Sequence, residues 1–141
     1  MTNRRNVRQA LADFLLQSTG IKTVYQGVPT QEINQFPTAI ITLPNWKEYR
    51  SASGKKRVDC EPVIQVWSLS FSGDAVTDEL AFDDLLDSID EQFRSDETLG
   101  GKVLTAGDRF IETTMPDPTG DANDIVMVAV KKLNLTVEFN G

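Results

Sequence analysis

The sequence predicts a single α+β domain in which two helices pack on one mixed, mainly antiparallel sheet. Two stretches with apolar residues at three- and four-residue spacing indicate helices, one near the N-terminus and one in the middle of the chain. Runs rich in β-branched and aromatic residues, bounded by Gly, Pro, Asn and Asp, are typical of strands. No βαβ alternation and no internal repeat is evident. We therefore expect residues 1–141 to form one domain with the order α-β-β-β-α-β-β-β.

The first part of the chain is predicted to hold one helix and two strands. The helix is expected from Asn6 to Ser18, where the apolar residues form one stripe. Its opening turn is rich in arginine, which opposes the helix dipole unless those side chains face a partner. A short strand is expected at Lys22–Gln26. A stronger strand is expected at Phe36–Leu43, where continuous apolar residues indicate cover on both faces, and Pro44 is expected to end it.

Residues 45–57 are predicted to form the tip of a long β-hairpin arm. Aromatic residues alternate with charges there, and the chain is expected to turn at small residues around Gly54. The return strand is expected to run from Lys56 or Arg57 to about Phe71. Pro62 lies inside it and indicates either an edge position or a bulge.

The second part of the chain is predicted to hold one helix and three strands. The helix is expected from Asp74 or Thr77 to Phe93. Two short strands are expected at Lys102–Ala106 and Arg109–Met115, and a polar loop at 116–124.

The last strand, Ile125–Phe139, carries the most information. Its odd positions are apolar almost throughout and should face the core. Its even positions are apolar only in the first half, at Val126, Val128 and Val130. That half is therefore expected to be covered on both faces. Two explanations stay open: a helix of the same chain covers the valines, or another subunit does.

Composition argues against an enzyme. The chain has no histidine, which removes the commonest general base and the commonest zinc ligand. Cys60 is the single cysteine, so no internal disulfide can form, and a reducing compartment is expected. No apolar run approaches the roughly 18 residues of a membrane span. We expect no catalytic residues, no cofactor, no metal and no membrane.

The net charge of −7 is unevenly distributed. Residues 1–58 carry nine Lys/Arg and three Asp/Glu, a balance of +6, whereas residues 59–141 carry five and eighteen, a balance of −13. The acidic total argues against sequence-specific or bulk nucleic-acid binding, because carboxylates repel phosphates. A charge split of this kind suits a protein that is oriented between unlike neighbours.

Three polar segments contain residue types found in ligand sites, and each is better explained as solvated surface. The basic stretch Ser53–Arg57 lacks the glycine spacing of a P-loop and leads into a strand. The acidic helix face and the acidic loop at 117–124 lack the ligand order of a calcium site. The acidic residues of the helix face are Glu79, Asp83, Asp87 and Asp90.

Exposed aromatic residues beside cations are typical of protein interfaces, which directs attention to the hairpin and to the valines of the last strand. The candidate subunit or partner contacts are Trp46, Tyr49, Arg50, Lys55, Lys56, Arg57, Val126, Val128 and Val130.

The order of these features resembles the tail terminator proteins of long-tailed bacteriophages, also called tail completion or minor tail U-like proteins. The resemblance covers nearly the whole chain and lies in the order of these segments and in the types of residue that they contain, without a signature motif. It fits neck or head-tail connector proteins equally. The segments that carry it are Val7–Leu16, Tyr25–Pro29, Phe36–Ile41, the basic hairpin to Trp67, the helix Phe82–Phe93, the Asp/Pro/Gly loop and the final Val-Glu-Phe strand.

The resemblance implies a structural virion protein. Such proteins form hexameric rings on the head-proximal end of the tail, end tail-tube polymerisation and offer a surface to the head connector. The implied partners are copies of the chain itself, the tail tube protein and the head-tail connector protein, with DNA passing through the ring. The implied location is the virion, after assembly in the host cytoplasm. A non-viral oligomeric binding module is the remaining alternative, and no catalytic residues are implied.

Overall fold

A computed structural model describes the chain at residues 4–17, 20–30, 33, 35–50, 56–69, 75–95, 99, 105–114 and 126–139. It contains two helices and five strands within these ranges, which confirms the predicted α+β class. In chain order the elements are α1 (Arg4–Leu16), β1 (Thr23–Tyr25), β2 (Thr38–Arg50), β3 (Lys56–Leu69), α2 (Ala75–Ser95), β4 (Thr105–Thr114) and β5 (Val126–Phe139).

The five strands form one sheet in the order β1-β2-β3-β5-β4. β1 runs parallel to β2, and the other three neighbouring pairs are antiparallel, as predicted for a mixed, mainly antiparallel sheet. The β2–β3 hairpin is long, but it is not a free arm. β5 pairs with β3 along its whole length, from Leu69 opposite Val126 to Lys56 opposite Phe139. The distal part of the hairpin is therefore joined through β5 to the rest of the sheet.

The predicted element order is confirmed up to α2 and differs after it. Residues 105–114 form a single strand where the sequence predicted a break between two strands. The pairing with β5 shifts between Ala106 and Ile111, so the segment containing Gly107 and Asp108 is an irregularity inside one strand rather than a turn. Residues 102–104 and 115 of the two predicted strands lie outside the described residues.

The prediction that Pro44 ends its strand was wrong. β2 continues through Pro44 to Arg50, and the pairing register shifts between Thr42 and Asn45. Two residues of β2 stand there against Pro62 of β3. A bulge leaves backbone groups out of the ladder, so proline, which has no N–H, is tolerated on both strands. Since β3 lies between β2 and β5, the bulge is the correct one of the two explanations for Pro62.

Both helices pack on the same face of the sheet. Their apolar stripes are buried in one cluster with Ile41 of β2, Ile64 of β3 and Leu133 of β5. Phe14 of α1 and Phe93 of α2 are in ring contact, with centroids 4.8 Å apart. The side of the sheet under the helices is called the helix side below, and the other side is called the open face.

A buried ion pair joins α2 to the helix side of β5. Lys131 is fully buried, and its Nζ lies 2.6 Å from Oδ1 of Asp90 and 2.8 Å from the Thr113 hydroxyl oxygen of β4. The sequence prediction placed Asp90 on a solvated acidic face, and that placement was wrong. Asp90 turns towards the sheet because it lies on the flank of the helix that borders the buried stripe, where a buried ammonium is available as partner.

Candidate assembly interface

The open face carries an apolar strip that neither helix covers. In β3 and β5, Ile64, Val66, Ala129 and Leu133 are buried on the helix side, so the alternate residues of both strands point to the open face. Trp67 pairs with Val128 and Gln65 pairs with Val130 there. All four side chains are only partly buried.

This arrangement excludes one of the two explanations for how the valines of the last strand are covered. α1 and α2 both lie on the helix side, so neither of them covers Val128 or Val130. The explanation by a helix of the same chain is therefore wrong. The side chain of Val126 lies outside the described residues, although its backbone pairs with Leu69.

Val130 belongs to a row of paired residues that crosses the sheet to β1. Tyr25 of β1, Ile40 of β2, Gln65 of β3 and Val130 of β5 are successive partners in register. Ile40 is only 4% exposed although it lies outside the cluster under the helices. Gln65 is polar and Ile40 is buried, so the partly exposed apolar residues of the strip are those of β3 and β5.

The hairpin aromatic residues point to opposite faces. Trp46 lies on the helix side, packs against the core cluster and carries the Arg4 guanidinium 4.8 Å from its ring centre. Its indole N–H donates to Glu48 at 2.9 Å, and Glu48 forms a salt bridge of 2.9 Å with Lys56. These contacts, the indole first and the Lys56 ammonium second, lower the pKa of Glu48. Trp46 and Lys56 are thus engaged within the chain.

Tyr49 is the hairpin aromatic that reaches solvent on the open face, with 40% of its surface exposed. Its hydroxyl donates to Oδ2 of Asp59 at 3.0 Å, while the Thr136 hydroxyl donates to Oδ1 of the same carboxylate at 3.1 Å. Arg50 is exposed, Arg57 is partly buried in β3, and Lys55 lies outside the described residues. The structure therefore does not gather the six hairpin candidates into one patch.

A shallow depression of about 440 Å³ lies beside this carboxylate. Asp59 is already held by two hydroxyl groups, and Glu61 accepts from the Asn45 amide at 3.3 Å. The lining residues are Asn45, Trp46, Lys47, Asp59, Glu61 and Asn134.

The remaining polar candidates give no reactive centre in the parts of the chain that the structure describes. No group of three or more potential metal-binding side chains converges there. Burial raises the pKa of the Cys60 thiol to about 12, and the neighbouring Asp59 charge adds to the effect, so the reactive thiolate is suppressed. The acidic loop at 117–124 lies outside the described residues.

The Lys131–Asp90 pair is the feature that sequence reasoning missed. A signal for it was present, because Lys131 occupies an odd position of the last strand, between residues that face the core. A lysine at such a position requires an internal anion, and the search for that anion leads to the acidic helix.

Comparison of the sequence with protein-family models and with curated proteins finds no match. No helix within the described ranges is both long and apolar enough to cross a membrane. The open face, the hairpin and the distribution of charge are therefore the features of the protein that indicate a function.

Proposed function

We propose that the protein is a structural virion component that forms a ring at the head-proximal end of a long bacteriophage tail. The ring ends tail-tube polymerisation and provides the surface for head joining. Its partners are copies of the same chain, most simply six, together with the tail tube and the head-tail connector. The role requires no catalytic residue, no cofactor and no metal.

The observation that supports assembly is the apolar strip on the open face. Trp67, Val128 and Val130 lie together on the side of the sheet opposite to α1 and α2, the two helices of the described residues. Antiparallel sheets with one solvated face normally carry polar residues on that face. Adjacent apolar residues that stay partly exposed on such a face are typical of a surface that meets another protein.

The charge distribution supports a position between unlike neighbours. Cations dominate the first 58 residues, and carboxylates dominate the remainder. A ring between a tail tube and a head connector must present two different surfaces, and unequal charge is one way of distinguishing them. The resemblance to tail terminator proteins supplies the name of the ring.

Imaging of the purified protein tests the proposal. We expect ring-shaped particles by electron microscopy and a mass of several subunits by light scattering. We also expect binding to the open ends of purified tail tubes. A strict monomer at high concentration that binds no tubes would contradict the proposal, and binding to the connector without binding to tubes would place the protein in the neck instead.

A further inference from the structure

A stripe of carboxylates runs along the solvent side of α2. Asp83, Asp84, Asp87 and Glu91 are all exposed, and their spacing of one, three and four residues puts them on one face of the helix. The buried stripe of α2, which contains Phe82, Leu86, Ile89 and Phe93, occupies the opposite face. We call the four carboxylates the acidic stripe.

An exposed leucine lies in line with the acidic stripe. Leu80 precedes Asp83 by three residues and Asp84 by four, so it shares their face of the helix, and 59% of its surface is exposed. The stripe therefore has one apolar side chain beside its charges.

A second group of charged residues, all of them cations, lies on α1 and on the β2–β3 hairpin. Arg4 and Arg5 open α1, and Arg4 extends over Trp46 of the hairpin. Arg50 and Lys56 are direct partners across the two hairpin strands, next to Glu48. These four side chains, Arg4, Arg5, Arg50 and Lys56, are called the basic corner. Glu48 is already bound by Lys56, so the corner keeps a positive excess.

The two helices that carry charges of these surfaces contact opposite edge strands of the sheet. α1 contacts β1 and β2, and β1 is one edge strand. α2 contacts β4, which is the other edge strand. One copy can therefore offer its acidic stripe to one neighbour and its basic corner to another. Contacts between two different patches are heterologous, and they produce a ring when the rotation between copies closes.

We propose that the acidic stripe of one copy docks on the basic corner of the next copy, head to tail. The inference rests on the proposed self-assembly and adds an oriented, charged contact to the contact through the open face. The acidic stripe faces the positive excess of the basic corner in this contact, so it is oriented and strongly dependent on salt. The occupant is a second copy of this chain because both complementary surfaces are present on it.

Salt dependence is the first test. Sedimentation velocity of the wild-type protein is compared at about 0.1 M and about 1 M sodium chloride, where the screening length falls from about 10 Å to about 3 Å. We expect assemblies to dissociate at the higher salt concentration. Assemblies that persist unchanged in high salt would overturn the docking proposal.

Charge reversal is the second test. Asp83→Lys, Asp84→Lys and Asp87→Lys together make three of the four stripe charges positive and so reverse its sign. Arg4→Glu, Arg5→Glu and Arg50→Glu together reverse the sign of the corner in the same way. Each triple variant alone is expected to associate about tenfold or more weakly. An equimolar mixture of the two is expected to assemble again, because intact and reversed surfaces then find complementary partners. Circular dichroism checks that both variants remain folded, as expected for exposed positions.

A matched control separates docking from net charge. Asp13 is an exposed carboxylate on α1, outside the acidic stripe, so Asp13→Lys changes the charge by the same amount as Asp87→Lys. We expect Asp87→Lys to weaken association and Asp13→Lys to leave it unchanged. Equal effects of the two would overturn the proposal.

The outcomes distinguish this inference from the proposed ring. Variants with reversed charge that still form rings overturn the docking and leave the ring in place. Salt-sensitive open filaments, restored by the mixed pair, support the docking and contradict the closed ring. A wild-type monomer at low salt and high concentration overturns both.

Discussion

Removal of the Asp90 carboxylate is expected to destabilise the protein far more than removal of the Lys131 ammonium. Lys131 is fully buried, whereas the Asp90 side chain keeps 18% of its surface in contact with solvent. In Asp90→Ala the ammonium loses the carboxylate at 2.6 Å and keeps only the Thr113 hydroxyl at 2.8 Å. An uncompensated buried charge of this kind typically costs about 3–5 kcal/mol.

The opposite change leaves the group that can still reach water. Lys131→Met fills a similar volume without a charge, and Asp90 can then hydrate at the edge of the core. Because the remaining carboxylate has access to water, no uncompensated buried charge is left, and we expect a change of about 1 kcal/mol or less in the free energy of unfolding.

Urea unfolding followed by circular dichroism measures both changes. A loss of about 3–5 kcal/mol corresponds to a fall of roughly 6–20 °C in the melting temperature for a domain of this size. Asp87→Ala, at an exposed position of the same helix, is the control and should change stability by about 0.5 kcal/mol or less. Equal small effects of Asp90→Ala and Asp87→Ala would refute the reasoning, because the Lys131 ammonium would then have access to solvent.

Three further changes test other parts of the fold. Alkylation of Cys60 at pH 8 should be slow in the folded protein and fast in denaturant, because burial raises the pKa of the folded thiol to about 12. Above about pH 9 the unfolded thiol ionises before the folded one, so the free energy of unfolding should fall by up to about 1.4 kcal/mol per pH unit. Equal alkylation rates would contradict this. Arg4→Gln should lower the free energy of unfolding by about 0.5–1 kcal/mol through loss of the contact with Trp46, and an unchanged value would argue against that contact. Phe14→Ala, at the junction of the two helices, should cost about 3–5 kcal/mol in urea unfolding, and a cost below 1 kcal/mol would contradict its burial.

The last strand shows why much of the fold could be predicted from the sequence. Its odd positions from Met127 to Val137 face the helices, as expected from a period of two, because alternation along a strand depends only on local backbone geometry. The two helices were located from their stripes for the same reason. The parallel pairing of β1 with β2 and the position of β5 between β3 and β4 were not predicted, since they depend on contacts between distant segments.

Pro44 and residues 105–114 show where the local signals were misleading. Proline and glycine usually mark the end of a strand, and the sequence reading used them in that way. Here each lies in an irregularity of a strand that continues. A bulge and a turn use the same residue types, and the difference lies in the neighbouring strand, which a single segment does not reveal.

The candidate interface was predicted in part. Val128 and Val130 lie on the open face, away from both helices, and their role as a subunit contact stays a prediction. Trp46 was named as a partner contact, yet it packs under Arg4 within the chain. Exposure of an aromatic residue in a hairpin depends on what folds back over it, and in this protein the first helix does so.

Val128→Asp tests most directly whether the open face is a surface for assembly. The change puts a carboxylate on a half-buried strand position that lies opposite Trp67, away from both helices. Its mass is measured by light scattering and its fold by circular dichroism, with Ile41→Asp in the buried cluster as the contrasting variant. We expect Val128→Asp to give a folded monomer and Ile41→Asp to unfold, because only the second buries a charge in the core of one chain. An unfolded Val128→Asp, or one that assembles like the wild type, would contradict assembly through the open face.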